Sequence, residues 1–192
     1  MSHIASIGAG MFSDMSIAFN ATGPTPPPAA FTKAGYDALF ATENVGGAPI
    51  AGDFVRIVNV REFPAIGTPP NIVNVPVFGQ SVSQQIQGQA DAPSMEITLN
   101  YVATQWADGS SLGDLVGSGK QAVFRFALLN SEPTDYSSKP AGLGTVENTY
   151  WYFNGKIDSL LVTPNLTDSN QATIAITLQS IVWGAFTLDG AP

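Results

Sequence analysis

The chain has no cysteine, which excludes disulfide frameworks, zinc–thiolate sites and thiol nucleophiles. Charge is scarce as well. Only 11% of the 192 residues are Asp, Glu, Lys or Arg, against about 25% in an ordinary soluble domain. A free subunit normally keeps a charged surface for solubility, so this scarcity implies that neighbours cover much of the surface. The seven basic residues are scattered singly and the net charge is −8. That balance argues against nucleic-acid binding and against an anionic membrane. No apolar run approaches the length of a membrane helix. The N-terminus MSHIASIGAGMFSD lacks a basic region and a continuous apolar core, so it does not read as a signal peptide. The expectation is a protein made and folded in a cytoplasm.

Apolar residues make up 44% of the chain, enough to bury a real core in one domain. The expected layout is a single unit over 1–192, with an N-terminal arm at 1–30 and a β core over 53–188. In the arm, Met15, Ile17 and Phe19 alternate with Ser16, Ala18 and Asn20, ahead of a stiff breaker from Gly23 to Pro28. The apolar run Ile181 to Leu188, with Trp183 and Phe186, needs a surface to cover it. One or the other of these segments is expected to pack on a neighbouring subunit.

The first convincing strand is Asp53 to Phe63. Pro64 to Pro70 breaks it, and an extended run resumes from Ile72 to Phe78. This connection is long for a hairpin and projects. The stretch FGQSVSQQIQGQADAPSMEITLNYVAT, Phe78 to Thr104, is the most informative. Met95, Ile97, Leu99 and Tyr101 point one way, and Ser94, Glu96, Thr98 and Asn100 the other. Its first half carries Gln80, Ser81, Ser83, Gln84, Gln85 and Gln87 around Val82 and Ile86. With turn formers Gly88, Asp91 and Pro93 between them, the two halves read as one hairpin. Ser110 or Ser111 can cap a short helix near 110–117. Ala122 to Leu129 is near-continuously apolar, so it is expected to be covered on both faces. Residues 130–148 form a long polar loop. Thr149 to Thr163 is a strand with a bulge or turn at Asn154-Gly155, and Ala172 to Leu188 completes the sheet. The fold class expected is mainly β: an antiparallel sandwich or partly open barrel flanked by one short α-helix.

No catalytic constellation survives inspection. Gly109-Ser110-Ser111-Leu112-Gly113 matches a hydrolase elbow, but the histidine a triad needs downstream is missing, the only one being His3. Gly117-Ser118-Gly119-Lys120 has Asp114 where a phosphate loop has its first glycine, and Gln121 replaces the magnesium-binding Ser/Thr. Asp108 with Asp114, or Asp168 beside Asn170, lacks calcium-loop spacing. No enzyme, cofactor or metal site is expected.

The order of parts resembles the major tail tube proteins of long-tailed, non-contractile bacteriophages. The resemblance rests on the looped segment 61–75, the polar strand, "GQADAPS", "MEITLNYVAT", a short helix and "AVFRFALL", and covers roughly residues 54–180. It implies a virion protein that forms stacked hexameric rings, each subunit adding four strands to an inner barrel through which double-stranded DNA passes without specific binding. It further implies tape-measure, terminator and distal tail proteins as partners, and no membrane. On that footing Gln80, Gln84, Glu96, Thr98 and Asn100 line the lumen. Phe63, Pro64, Ile66, Pro69, Pro70 and Ile72 form an inter-ring loop, and Ile17, Phe19, Trp183 and Phe186 belong to the inter-subunit arms. The alternative is a secreted or surface β-sandwich that binds carbohydrate, such as an adhesin module, with Tyr150, Trp151 and Tyr152 as a sugar platform.

Overall fold

The computed structural model describes residues 12–20, 22–29, 32–44, 52–67, 72–76, 78–79, 81–82, 84–88, 94–129, 149–180 and 182–187. In chain order the elements are β1 (Asp14–Asn20), β2 (Gly23–Pro24), α1 (Lys33–Asp37), β3 (Thr42–Glu43), β4 (Asp53–Arg56), β5 (Val60–Glu62) and β6 (Ile72–Val75). There follow β7 (Gln84–Gln87), β8 (Ser94–Asn100), α2 (Ala103–Trp106), β9 (Ala122–Leu128), β10 (Thr149–Thr163), β11 (Gln171–Leu178) and β12 (Trp183–Thr187). The architecture is mainly β, with short helical pieces and a sheet that does not close into a barrel.

One long strand makes two layers. The first half of β10 pairs with β9 from Thr149 to Gly155 and, on its other side, with β12. Its second half pairs with β11 from Gly155 to Thr163, past a bulge between Ile157 and Ser159. The main path runs β3-β4-β1-β9-β10-β11-β8-β5. The β4-β1-β9 side thus faces the β5-β8-β11 side across a core. Met15, Ile17 and Phe19 of β1 and Phe124 and Phe126 of β9 pack there with Met95, Ile97 and Leu99 of β8 and Ile174 and Ile176 of β11. The chain crosses between layers a second time after β4. Asn59 takes φ 58, and that left-handed corner sends the chain from β1 pairing in β4 to β8 pairing in β5.

Gly155 sits where β10 changes partner. A Cβ there would meet Ile176 Cγ2 at 3.0 Å, the Thr177 carbonyl oxygen at 3.2 Å and Phe124 Cε2 at 3.3 Å. The layers close only because this position is bare. The expected bulge at Asn154-Gly155 therefore lies three residues further on, around Asp158.

β1 and β9 are buried on both faces. Their outer face packs on α1 and the turn Ala38–Phe40, giving a second cluster with Tyr36, Phe40, Phe54, Val123, Tyr150 and Tyr152. Thr32 caps α1 by accepting from the Gly35 N–H at 3.1 Å. Asp37 then ties the helix to β10, because the Tyr152 hydroxyl donates to it at 2.6 Å while Lys33 lies at 2.5 Å. Tyr36 stacks on Tyr152 with ring centroids 4.8 Å apart. Inside this cluster the Arg125 guanidinium lies 4.7 Å from the Phe40 ring centroid and 4.8 Å from that of Phe54.

Several expectations are corrected here. Residues 14–20 are a central strand, not an arm: Ile17 and Phe19 are buried in this chain's own core, so neither is available to a neighbour. Trp183 likewise packs on the second cluster, 5.3 Å from the Tyr36 ring, and Phe186 occupies the ladder position opposite Tyr150, its side chain lying outside the described residues. The apolar C-terminal run finds its partner in β10. The helix expected near 110–117 is only the 3-10 turn Gly113–Leu115, while α1 lay in a stretch without clear periodicity. The residue at the head of that turn is Leu112, which has no side-chain cap, although the Ser110 Oγ accepts from the Gly113 N–H at 3.0 Å. Tyr150 and Tyr152 are buried, so they offer no sugar platform. The loop 130–148 lies outside the described residues.

Two outcomes follow for stability. Gly155→Ala should cost about 1–3 kcal/mol, as overpacking of a closed core does, and a urea midpoint unchanged from the parent would refute the pinch. Tyr152 has its phenol pushed far above the ordinary tyrosine range, first by burial and then by the charge and hydrogen bond of Asp37. The folded protein therefore keeps this proton where the unfolded chain, with a phenol pKa near ~10, releases it. The stabilisation is complete below that pH and is lost as pH rises beyond it, by about 1.4 kcal/mol per unit. Chemical denaturation between pH 9 and 11 should show a slope that Tyr152→Phe reduces.

Candidate assembly surface

The layer β5-β8-β11-β10 has its apolar side inward and its other side in solvent, and the registers say which residues share that outer side. Ser94 lies opposite Thr177 and Glu96 opposite Ala175, with Thr98 opposite Thr173 and Asn100 opposite Gln171. The rows continue into β10, where Thr177 faces Lys156, Ala175 faces Ser159, Thr173 faces Leu161 and Gln171 faces Thr163. On the other flank Glu62 of β5 faces Thr98. The result is a wall made mostly of hydroxyls, amides and small groups, with Leu161 as its large apolar member. Its charged members are Glu62, Glu96 and Asp158 against Lys156, so it leans acidic. Period two builds it: each strand spends its alternate residues on the core.

The surface is held by local bonds. The Thr177 hydroxyl donates to Asp158. At the β10–β11 turn the Asn165 N–H donates to the Asn170 side chain at 3.0 Å and the Ser169 hydroxyl to Asn100 Oδ1 at 2.7 Å. Arg61 bridges Asp168 at 3.2 Å. The Ser169 N–H and this arginine hold the Asp168 carboxyl below its usual range. The pair is exposed and worth little on its own.

Both flanks of the layer end in incompletely paired strands. β9 accompanies β10 only as far as Gly155, so among the described residues no strand covers that side of β10 from Asp158 to Thr163. The Gly117 N–H caps the Ile157 carbonyl and ends the cover there. Leu161 is 65% exposed and Val162 44%. On the opposite flank β5 pairs with β8 at Val60 and Glu62 alone. β5 runs antiparallel to β8, β8 to β11 and β11 to β10, so the two flanking strands point in opposite directions.

β6 and β7 make a separate two-stranded sheet, Ile72 opposite Gln87 and Val75 opposite Gln84. This overturns the hairpin expected between residues 80–87 and 95–101, since β8 pairs with β11 and β5 instead. Gln84 therefore does not join Glu96, Thr98 and Asn100 on one wall, and Gln80 lies outside the described residues. The structure brings the last three together and adds Thr173, Ala175, Thr177 and Ser159, which share their face. Alternation in 171–178 and 157–163 signals these residues, but which strands neighbour β8 is a property of the topology.

The expected inter-ring loop divides in two. Phe63 and Ile66 pack against the chain's own core, Phe63 edge-on to Phe126 at 5.3 Å, and Pro64 is half-buried. Pro69 and Pro70 lie outside the described residues. Ile72 belongs to the projecting hairpin, where it is 54% exposed along with Val73, Val82, Ile86 and a fully exposed Phe78.

No family model matches the sequence, and no curated protein does. Among solved structures, the SPP1 tail tube, a hybrid of solid-state NMR and cryo-EM given as an NMR ensemble, is similar in fold. The match has a TM-score of 0.51 at 11% identity and covers 95% of this chain and 82% of that one. The two chains share a fold. No described helix is long and apolar enough to cross a membrane, and no metal-binding cluster occurs among the described residues.

Proposed function

We propose that this protein is a structural subunit of a phage tail tube, closing into rings through the two flanks of the β5-β8-β11-β10 layer. The observation that carries the reading is the pair of open edges on either side of one polar wall. An exposed edge invites another strand. When the open edge of β10 in one copy meets β5 of the next, the directions make that ladder antiparallel, like every other pairing in the layer. A head-to-tail contact of this kind closes into a ring if its rotation closes, and the polar wall then lines the interior. The resemblance sets the expected ring at six subunits, stacked as a tube in the virion tail with other tail proteins at its ends.

The wall chemistry suits a passage for DNA. A surface that neutralises phosphates binds DNA by releasing counterions, whereas hydroxyls, amides and a slight excess of carboxylates give a polyanion nothing to hold. Glu96, Thr98 and Asn100 are lumen residues in this reading, together with Thr173 and Ser159.

Two substitutions test it. Val162→Lys places a charge on the open edge, where it can reach solvent. The subunit should stay folded by circular dichroism yet form no rings under negative stain or in sedimentation. Rings at wild-type yield would sink the edge assignment. Glu96→Lys, at an exposed position, should leave stability within about 0.5 kcal/mol while its tubes retain DNA in a salt-dependent way. A tube density map with residue 96 on the outer wall would reject the lumen assignment.

A further inference from the structure

The turn between β10 and β11, residues 164–170, and a cleft of about 450 Å3 where the chain crosses from β4 to β5 lie at one end of the polar layer, on opposite flanks. The registers fix the end. Thr163 lies opposite Gln171 and Gln171 opposite Asn100, so the turn sits at the Asn100 end. The cleft is lined by Val55 and Val58, on the approach to β5, and by Val102 and Leu112, which follow β8, so it sits at that end too. The turn belongs to the β10 flank and the cleft to the β5 flank. Copies joined side by side through those flanks therefore bring the turn of one towards the cleft of the next.

The two surfaces match in chemistry. On its β11 side the turn is tied to its own subunit: Asp168 to Arg61, Ser169 to Asn100, and the Asn170 carbonyl to the Tyr101 N–H at 2.8 Å. Its β10 side stands in solvent, where Leu166 is 103% exposed between the uncharged Asn165 and Thr167. A lone exposed leucine is ordinary, but Leu161 and Val162 are exposed on the same flank, and apolar groups gathered on one flank mark a contact surface. The cleft offers such a leucine three valines and Leu112. Arg56 in it is already compensated, with Nε 2.7 Å from Asp14 and Nη1 3.6 Å from Glu43. An uncharged tip entering it leaves no charge buried unpaired, which would otherwise be costly. One acceptor is waiting as well. Gln105 gives its Nε2 to the Arg56 carbonyl at 2.5 Å, but its Oε1 is buried with no donor among the described residues. Asn165 is its complement: Oδ1 accepts from the Thr167 N–H at 3.0 Å, while Nδ2, a donor, has no acceptor among the described residues.

We propose that this cleft receives the β10–β11 turn of the neighbouring copy in the same ring, with Leu166 against its valines and the Asn165 amide donating to Gln105 Oε1. The proposal rests on the ring reading above and adds to its strand ladder a socket that fixes one copy's position on the next.

The absence of cysteine makes the test clean, because engineered thiols are the only ones present. Chains carrying Thr167→Cys, mixed one to one with chains carrying Ser111→Cys, assembled and treated with a short bismaleimide, should give a covalent dimer on a denaturing gel. Either chain alone should give none. The double variant should give a series of bands ending at the number of subunits in a ring, because a lateral contact closes on itself. Leu166→Asp should keep wild-type circular dichroism, its position being fully exposed, while the yield of rings falls about tenfold or more, the loss expected on removing one buried anchor. Rings that form without the covalent dimer, bands that run beyond the ring number, or rings of Leu166→Asp at wild-type yield overturn the socket and leave the ring reading standing. If the unsubstituted protein forms no rings, the ring reading fails and the socket falls with it.

Discussion

Everything in this fold depends on one strand being shared. β10 is long enough to serve two layers in succession, and Gly155 is the point at which it passes from one to the other. Without a side chain there, Phe124 and Ile176 approach from opposite layers and the core closes between them. The arrangement also explains why the sheet is open. A strand that changes neighbours midway has an unaccompanied side on each half unless another strand fills it. β12 fills the gap on the first half, and among the described residues nothing fills it on the second.

The few charges are distributed unevenly between the layers. The first layer buries them: Arg125 is 1% exposed within a ring of aromatic side chains, and Asp14 is 2% exposed between Ser16 and Arg56. A cation enclosed by aromatic faces gains about 2 kcal/mol or more when desolvated, and Asp14 with its two partners keeps the neighbouring charge satisfied. The second layer keeps its carboxylates at the surface and fills the space between them with Thr, Ser and Ala. Low overall charge is thus not uniform greasiness. It joins one firmly locked layer to another left almost neutral at its surface.

How much of this was legible depended on whether the signal was local. Alternation in Ser94–Asn100 and in Gln171–Leu178 located both strands and their faces, and the near-continuous apolar run at 122–129, interrupted by Arg125 alone, correctly implied burial on two sides. Pairing was not legible. The Gln-rich strand sits beside β8 in sequence, but its partner is Ile72–Val75, because nothing in the period of a strand specifies its neighbour. Met15, Ile17 and Phe19 read as an arm because a strand covered on both faces shows alternation only if its second face is polar. Here that face carries Asp14, Ser16 and Ala18, buried against Arg56 and α1. Asn59 carried no warning either, since its positive φ serves a change of layer that only the assembled core requires.

The strand order has a consequence for the time at which this molecule becomes sticky. The β10–β11 hairpin is local and closes early, but Ile17 must find Phe124 and Ile97 must find Ile174 before either layer is complete. Long-range pairings of this kind are slow, since loop closure must precede the contacts that reward it. The flank of β5 depends on β8 being in place, because β5 pairs with β8 beyond the corner at Asn59. A nascent or half-folded chain therefore presents one of the two edges but not its complement. In the ring reading, that order withholds one half of the contact between copies until the subunit is finished.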